Sequence, residues 1–295
     1  MTALELTLNA LDGRPLAATL YTPATAPRAA VVLLGALGVA RRFYAPFAAW
    51  LAAHGVAVLT FDYRGVGGSR TLPLRRDPAT LLDWARFDAA AAIDLACQRW
   101  GEVWAVGHSF GGQAIGLTAR GLDLAGAVVI AAGSGDLSLY PNDRQRLAFK
   151  FGLNLLVPAV SAVLGYVPGR LGLGEDLPAG VVRQWSQWCR TPDYARGALP
   201  PTAIHHDRIQ APMLFIDFPD DSYAPTDAAA ALRGWYARAK VSHRVVAPAE
   251  LGLAKIGHFG GFCPGPTEPL WAEILTTIAG AEAGTHPAPA YVHPQ

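Results

Sequence analysis

Along the chain, short and wholly apolar runs alternate with longer stretches whose apolar residues recur at helical intervals. The first two runs, LELTLNA and PLAATLY, flank Leu11-Asp12-Gly13-Arg14. A glycine-containing turn between two alternating runs predicts an opening antiparallel hairpin. AAVVLLG, closed by Gly35, has no polar face and fits a strand buried on both sides of a parallel sheet. FYAPFAAWLAAHG then places Phe43, Phe47, Trp50 and Leu51 on one helical face, with Pro46 in the first turn and Gly55 as the stop. VAVLTFD is the next buried strand.

The same rhythm continues. Asp77-Pro78, an aspartate cap followed by proline at the first helical position, predicts a long amphipathic helix to about Trp100. EVWAVG reads as a strand leading into a helix to about Arg120, and AGAVVIAAG as a further strand. Later come the strand APMLFID, the helix APTDAAAALRGWYARAK, the strand HRVVAP and the last helix, EPLWAEILTTIAG. Strand and helix alternating behind a hairpin predict an α/β protein with a doubly wound, mostly parallel sheet. Residues 135–199 break the pattern, with apolar helical stretches such as LAFKFGLNLLVPAVSAVL and VVRQWSQWC but no strand. They are expected to form a helical lid inserted on the carboxyl side of a core made from residues 1–134 and 200–284. The end, 285–295, is proline-rich and expected to be a flexible tail.

Composition narrows the function. With 52% hydrophobic and 16% charged residues in 295, and a mean hydropathy of +0.23, the chain can bury a large core. A net charge of +1 leaves no polybasic patch, so no nucleic-acid partner is expected. Cys97, Cys189 and Cys263 lie far apart without a CxxC pair and read as reduced thiols of a cytoplasmic protein, with neither a metal knuckle nor a disulfide framework. No signal peptide is read in MTALELTLNALDG. The apolar segment 152–168 is shorter than a span of ~20 residues and contains Pro158, so no stable membrane insertion is expected.

The candidate chemistry begins at Gly107-His108-Ser109-Phe110-Gly111, which follows an apolar strand and precedes a helix. A sharp strand-to-helix turn presents its central residue above the sheet, and the glycines two positions to either side avoid the neighbouring strand and helix. Ser109 is therefore the candidate nucleophile, and the Phe110 amide, at the positive end of the helix, a candidate oxyanion donor. A serine needs a base, and the base an orienting acid. His258, in Ala254-Lys255-Ile256-Gly257-His258-Phe259-Gly260-Gly261, lies in a glycine-flanked loop before the last helix and is the candidate base. His54 ends a helix, His108 adjoins the nucleophile, and His286 and His293 are in the tail. His205-His206-Asp207 lacks further ligands and reads as surface polar residues rather than a metal site. For the acid, the strand ending MLFID is followed by Phe218-Pro219-Asp220-Asp221; Asp221 is the choice, with Asp220 and Asp217 as alternatives.

These residues carry a resemblance. Gly35-Ala36-Leu37-Gly38 with Tyr44, Asp62-Tyr63-Arg64-Gly65-Val66-Gly67-Gly68-Ser69, Gly107-His108-Ser109-Phe110-Gly111-Gly112, Asp221 with Pro225, and Gly257-His258 together resemble the α/β-hydrolase superfamily over nearly the whole chain. The similarity is to bacterial serine hydrolases related to monoglyceride lipases and the serine aminopeptidase-like group. It implies an α/β-hydrolase fold, acyl transfer through an acyl-enzyme, no cofactor and no metal. It also implies a second oxyanion amide in the loop after the third strand, at Leu37 with Ala36 as the fallback, because Gly35-Ala36 stands where the family has His-Gly. Dehalogenases and epoxide hydrolases of the fold require aspartate at position 109, and dienelactone hydrolases cysteine, so those chemistries are excluded.

The expected substrate is a small ester or thioester with a hydrophobic acyl or alkyl group, suggested by Phe149, Phe151, Leu153, Leu155, Leu156 and Trp185 of the insertion. Arg144, Arg146, Arg183 and Arg190 read as solvated surface rather than as a site for an anionic end. An acyltransferase with the same three residues and a non-catalytic binding protein are the rival readings.

Overall fold

The computed structural model describes residues 1–141 and 144–280, so the end expected to be flexible lies outside the described residues. Strands β1 (Thr2–Asn9) and β2 (Pro15–Thr22) form the hairpin, in register from Thr2 opposite Thr22 to Asn9 opposite Pro15. Then follow β3 (Ala29–Leu34), α1 (Ala45–Ala53) and β4 (Val56–Phe61). The next helix runs over 81–100 as α2 (Leu81–Asp83), a wider π-type stretch Trp84–Ala89, and α3 (Ala90–Trp100). After β5 (Trp104–His108) come α4 (Phe110–Ala114) and β6 (Gly126–Ile130).

The insertion holds α5 (Arg144–Phe151) and α6 (Val157–Leu164), joined by a π-type stretch Gly152–Leu156. It continues through the two-residue strands β7 (Tyr166–Val167) and β8 (Leu177–Pro178) to α7 (Ala179–Arg190) and α8 (Tyr194–Ala198). The chain closes with β9 (Pro212–Asp217), α9 (Thr226–Trp235), β10 (Lys240–Val245) and α10 (Glu268–Gly280).

The main sheet has the order β1-β2-β4-β3-β5-β6-β9-β10, antiparallel at β1/β2 and β2/β4 and parallel elsewhere. This is the α/β-hydrolase fold. The central strands lack a polar face because helices cover both sides: β4, β5 and β6 are buried throughout. Parallel strands point one way, so the loops after β3, β5, β6 and β9 gather at one edge. That edge carries the site.

Several elements differ from the sequence expectation. The helix placed at Asp77 begins at Leu81, because Thr80 and Asp83 form a reciprocal capping box. Asp77 is instead held by the Arg14 guanidinium and accepts from the Ala79 amide at 3.0 Å. The helix after Ser109 stops at Ala114 and passes into short 3-10 turns, Ile115–Leu117 and Ala119–Asp123. There the Gly116 carbonyl accepts from the His205 amide at 2.8 Å, and Thr118 is extended. β10 lies three residues earlier than HRVVAP; it is an edge strand with little apolar alternation, and Pro248 starts a turn beyond it. His206, expected at the surface, is fully buried, with Nε2 donating to the Gln113 carbonyl at 3.1 Å.

The apolar insertion segment is also longer than read. Residues 144–164 form one helical run, since the wider turn over Gly152–Leu156 accommodates the missing N–H of Pro158. Within it Arg146–Leu164, 19 residues of mean hydropathy 1.8 and only 17% buried, is long and apolar enough to cross a membrane by length and composition.

Asp62 to Ser69 is a structural knot. Asp62 accepts from the Gly68 amide at 2.9 Å and pairs with Arg41. Arg64 bridges Asp12 of the hairpin turn and Asp88 of the π-type stretch, at 2.7 Å to each. Burial pushes the Asp88 carboxyl up to about 6, against the pull of Arg64.

Candidate active site

The turn after β5 is made possible by three glycines at points of close contact. A Cβ on Gly107 would lie 2.7 Å from the Gly112 nitrogen, one on Gly111 1.9 Å from the Leu34 carbonyl oxygen, and one on Gly112 2.5 Å from Val129 Cγ1. Ser109 itself has φ of +54°, a region that non-glycine residues enter at a cost. The strain is held by its own amide, which donates to the Ile130 carbonyl at 3.1 Å.

Two later loops reach this serine. His258 Nε2 lies 2.9 Å from Ser109 Oγ, and His258 Nδ1 lies 2.8 Å from Asp221 Oδ2. The other oxygen of Asp221 accepts from the amides of Tyr223 at 2.8 Å and Ala224 at 3.2 Å. Asp221 and His258 are both buried. The neighbouring Asp220 has a different task. Its Oδ2 accepts from the amides of Ile256 and Gly257, at 2.9 and 3.0 Å, and so shapes the loop that carries His258. Asp217 turns away to Arg233 and His243.

The loop after β3 faces Ser109 from the other side, and Leu37 and Phe110 both line the cavity. The Ala36 amide donates to Tyr44 Oη at 2.8 Å and is thus already paired within the fold. Phe110 opens α4, where first-turn amides have no partner within the helix. The β3 loop is clamped by the insertion: the Glu175 amide donates to the Gly38 carbonyl at 2.9 Å, and Glu175 pairs with Arg42.

His108, set aside on sequence grounds, ties these parts together. Its Nε2 lies 2.8 Å from the His258 carbonyl oxygen and its Nδ1 2.8 Å from Tyr44 Oη. A carbonyl can only accept, so Nε2 carries the proton, Nδ1 accepts from Tyr44, and the Tyr44 oxygen accepts from Ala36. Burial, reinforced by His258 nearby, holds the His108 pKa well below its ordinary value and keeps the ring neutral. No sequence signal pairs Tyr44 with His108; only their common place in the motif set hints at it.

Burial lowers the His206 pKa to about 3. For both rings the folded value is below the unfolded value of about 6.5, so full stability is present above that pH and declines below it. For His206 the decline continues to about pH 3. Each ring is expected to remove about 1.4 kcal/mol per pH unit over its window. Urea unfolding midpoints measured from pH 7 to pH 4 should fall steadily, and less steeply in His206→Gln; equal slopes would contradict this.

The cavity above Ser109 has a volume of about 560 Å³. Phe149, Leu153 and Trp185 line it as expected, but Phe151, Leu155 and Leu156 face solvent, and none of Arg144, Arg146, Arg183 and Arg190 reaches it. Cys189 is also in the wall. Burial, with Asp136 nearby, holds its thiol far above the ordinary range, so it offers no thiolate. Among the described residues no group of three His, Cys, Asp or Glu side chains is placed to hold a metal ion.

A serine raised on a strand-to-helix turn of a doubly wound sheet, met by an imidazole and a carboxylate from later loops, defines the α/β-hydrolase class. The chain belongs to the alpha/beta hydrolase family, whose model matches residues 31–269. A comparison with curated proteins found no sequence match. Among solved structures, a soluble variant of monoglyceride lipase from Saccharomyces cerevisiae is similar with a TM-score of 0.68 at 14% identity, over 94% of this chain and 96% of that one. A thermostable carboxyl esterase from Bacillus coagulans has a TM-score of 0.60 at 14% identity, over 95% and 99%. Acylaminoacyl peptidase from Pyrococcus horikoshii has a TM-score of 0.60 at 13% identity, over 97% of this chain and 43% of that one. At such identities the likeness is one of fold.

Proposed function

We propose that the protein is a serine hydrolase that cleaves a small carboxylic ester or thioester, with a hydrophobic acyl or alkyl group, through an acyl-enzyme. The observation that carries this reading is the unbroken chain of hydrogen bonds from Ser109 Oγ through His258 to Asp221. In this scheme His258 Nε2 accepts the Ser109 proton as Oγ attacks the carbonyl carbon. Asp221 holds Nδ1 protonated and stabilises the imidazolium. The amides of Leu37 and Phe110 receive the developing oxyanion, and each contributes ~3 kcal/mol to lowering the barrier. The imidazolium returns its proton to the leaving oxygen or sulfur, and water repeats the sequence to free the acid. Residues 135–199 act as the lid, since Phe149, Leu153, Leu173, Trp185, Cys189 and Tyr194 all come from them.

A fluorophosphonate probe is expected to label the protein on Ser109, located by peptide mapping. A panel of p-nitrophenyl esters of rising chain length should then be turned over. An unlabelled Ser109 together with no ester turnover would leave the binding-protein reading in its place. Turnover that passes the acyl group mainly to an added alcohol would indicate the acyltransferase.

A further inference from the structure

One buried wall of the cavity carries polar atoms that the fold leaves unpaired. Gln113 follows Ser109 by four residues, about 6 Å of helical rise, and faces the same cavity. Its Nε2 donates to the Gly133 carbonyl at 2.6 Å, which fixes the orientation of the amide. The remaining oxygen, Oε1, is buried without a hydrogen-bond partner. The Tyr194 hydroxyl, in the same wall, is likewise buried; the Gln113 side chain approaches it but does not reach hydrogen-bond geometry.

Tyr194 is held in place at some cost. It and Asp193 both have positive φ, +54° and +60°, in the region that non-glycine residues rarely adopt. Asp136 Oδ2 accepts from the Asp193 amide at 2.9 Å, and Trp235 Nε1 donates to Asp193 Oδ1 at 3.1 Å. The ring packs edge-on to Trp188 and against Gly135, where a Cβ would lie 2.6 Å away. Phenylalanine would pack there without burying an unpaired oxygen.

We propose that Gln113 Oε1 and Tyr194 Oη form a subsite for an uncharged hydroxyl on the acyl part of the substrate, so that hydroxyacyl esters are preferred over plain alkanoyl esters. This rests on the hydrolase reading of the cavity. Oε1 only accepts, whereas the phenol both donates and accepts. A hydroxyl can donate to the first and accept from the second. A carboxylate has no proton for Oε1, and a methyl group offers neither oxygen a partner. The acyl side is indicated because the leaving oxygen must face His258 Nε2. The imidazole is flanked by Tyr223 and Phe259, each about 5.0 Å away by ring centroid and each partly exposed at the mouth. Gln113 and Tyr194 belong to the buried wall.

The test uses matched p-nitrophenyl esters with acyl chains of about four to six carbons, ending in hydroxyl or in methyl, to span about one helical turn. Wild-type kcat/KM is expected to favour the hydroxylated ester by about tenfold or more, and the ratio should collapse in Tyr194→Phe. A ratio near one in the wild type, as when water alone suffices for the two oxygens, overturns the subsite. Calorimetric binding of the corresponding methyl esters to Ser109→Ala reads the subsite without turnover. Tighter binding of the hydroxylated ester there, with no hydrolysis by wild type, would keep the subsite and reject the hydrolase. Equal binding would reject the subsite.

Discussion

Ser109→Ala is expected to lower kcat on p-nitrophenyl butyrate by about 10⁴-fold or more, and to abolish labelling by a fluorophosphonate. Alanine keeps the Cβ, so the positive φ and the Ser109 amide bond to Ile130 persist and the unfolding midpoint should hold. Burial keeps the Cys189 thiol in the cavity wall protonated, so it does not replace the serine as nucleophile. What remains is the electrostatic help of the two oxyanion amides and the binding of the acyl chain. Initial-rate kinetics on wild type and variant settle it. Retention of turnover within about tenfold would remove Ser109 from the mechanism.

The two adjacent aspartates should part company. In Asp221→Asn the side chain must still accept from the Tyr223 and Ala224 amides, which turns its NH₂ toward His258 Nδ1. The imidazole is then held in the tautomer with its proton on Nε2, where it cannot accept from Ser109. A fall in kcat of about 10⁴-fold is expected, with little change in KM. In Asp220→Asn the amide oxygen can still receive both Ile256 and Gly257, and only the charge is lost. The loss there should stay within about tenfold. Equal losses in the two variants would mean that loop position, not the tautomer of the ring, governs the rate.

Much of the sheet is legible in the sequence because its central strands are apolar without interruption, as in AAVVLLG and VAVLTF, and only burial on both faces explains that. β10 is misplaced for the opposite reason: at the edge, neither face demands an apolar pattern. The early stop after Ala114 is invisible locally, since the cause is a loop from position 205 taking the Gly116 carbonyl. At the site, the residue types stand in motifs, so Ser109, His258 and Asp221, with Asp220 and Asp217 as alternatives, can be named from the sequence. Which aspartate meets the imidazole depends on backbone direction in a loop and is not written in composition. Gln113 was open to inference from its spacing of four after Ser109. Tyr194 gave no signal, because its place depends on Asp136 and Trp235, far away along the chain.

His108 has a consequence for spacing. One uncharged ring touches the backbone of His258 and, through the Tyr44 phenol, the β3 loop at Ala36. The spacing between those two loops is therefore set through one shared ring, and a shift of either strains a hydrogen bond to it.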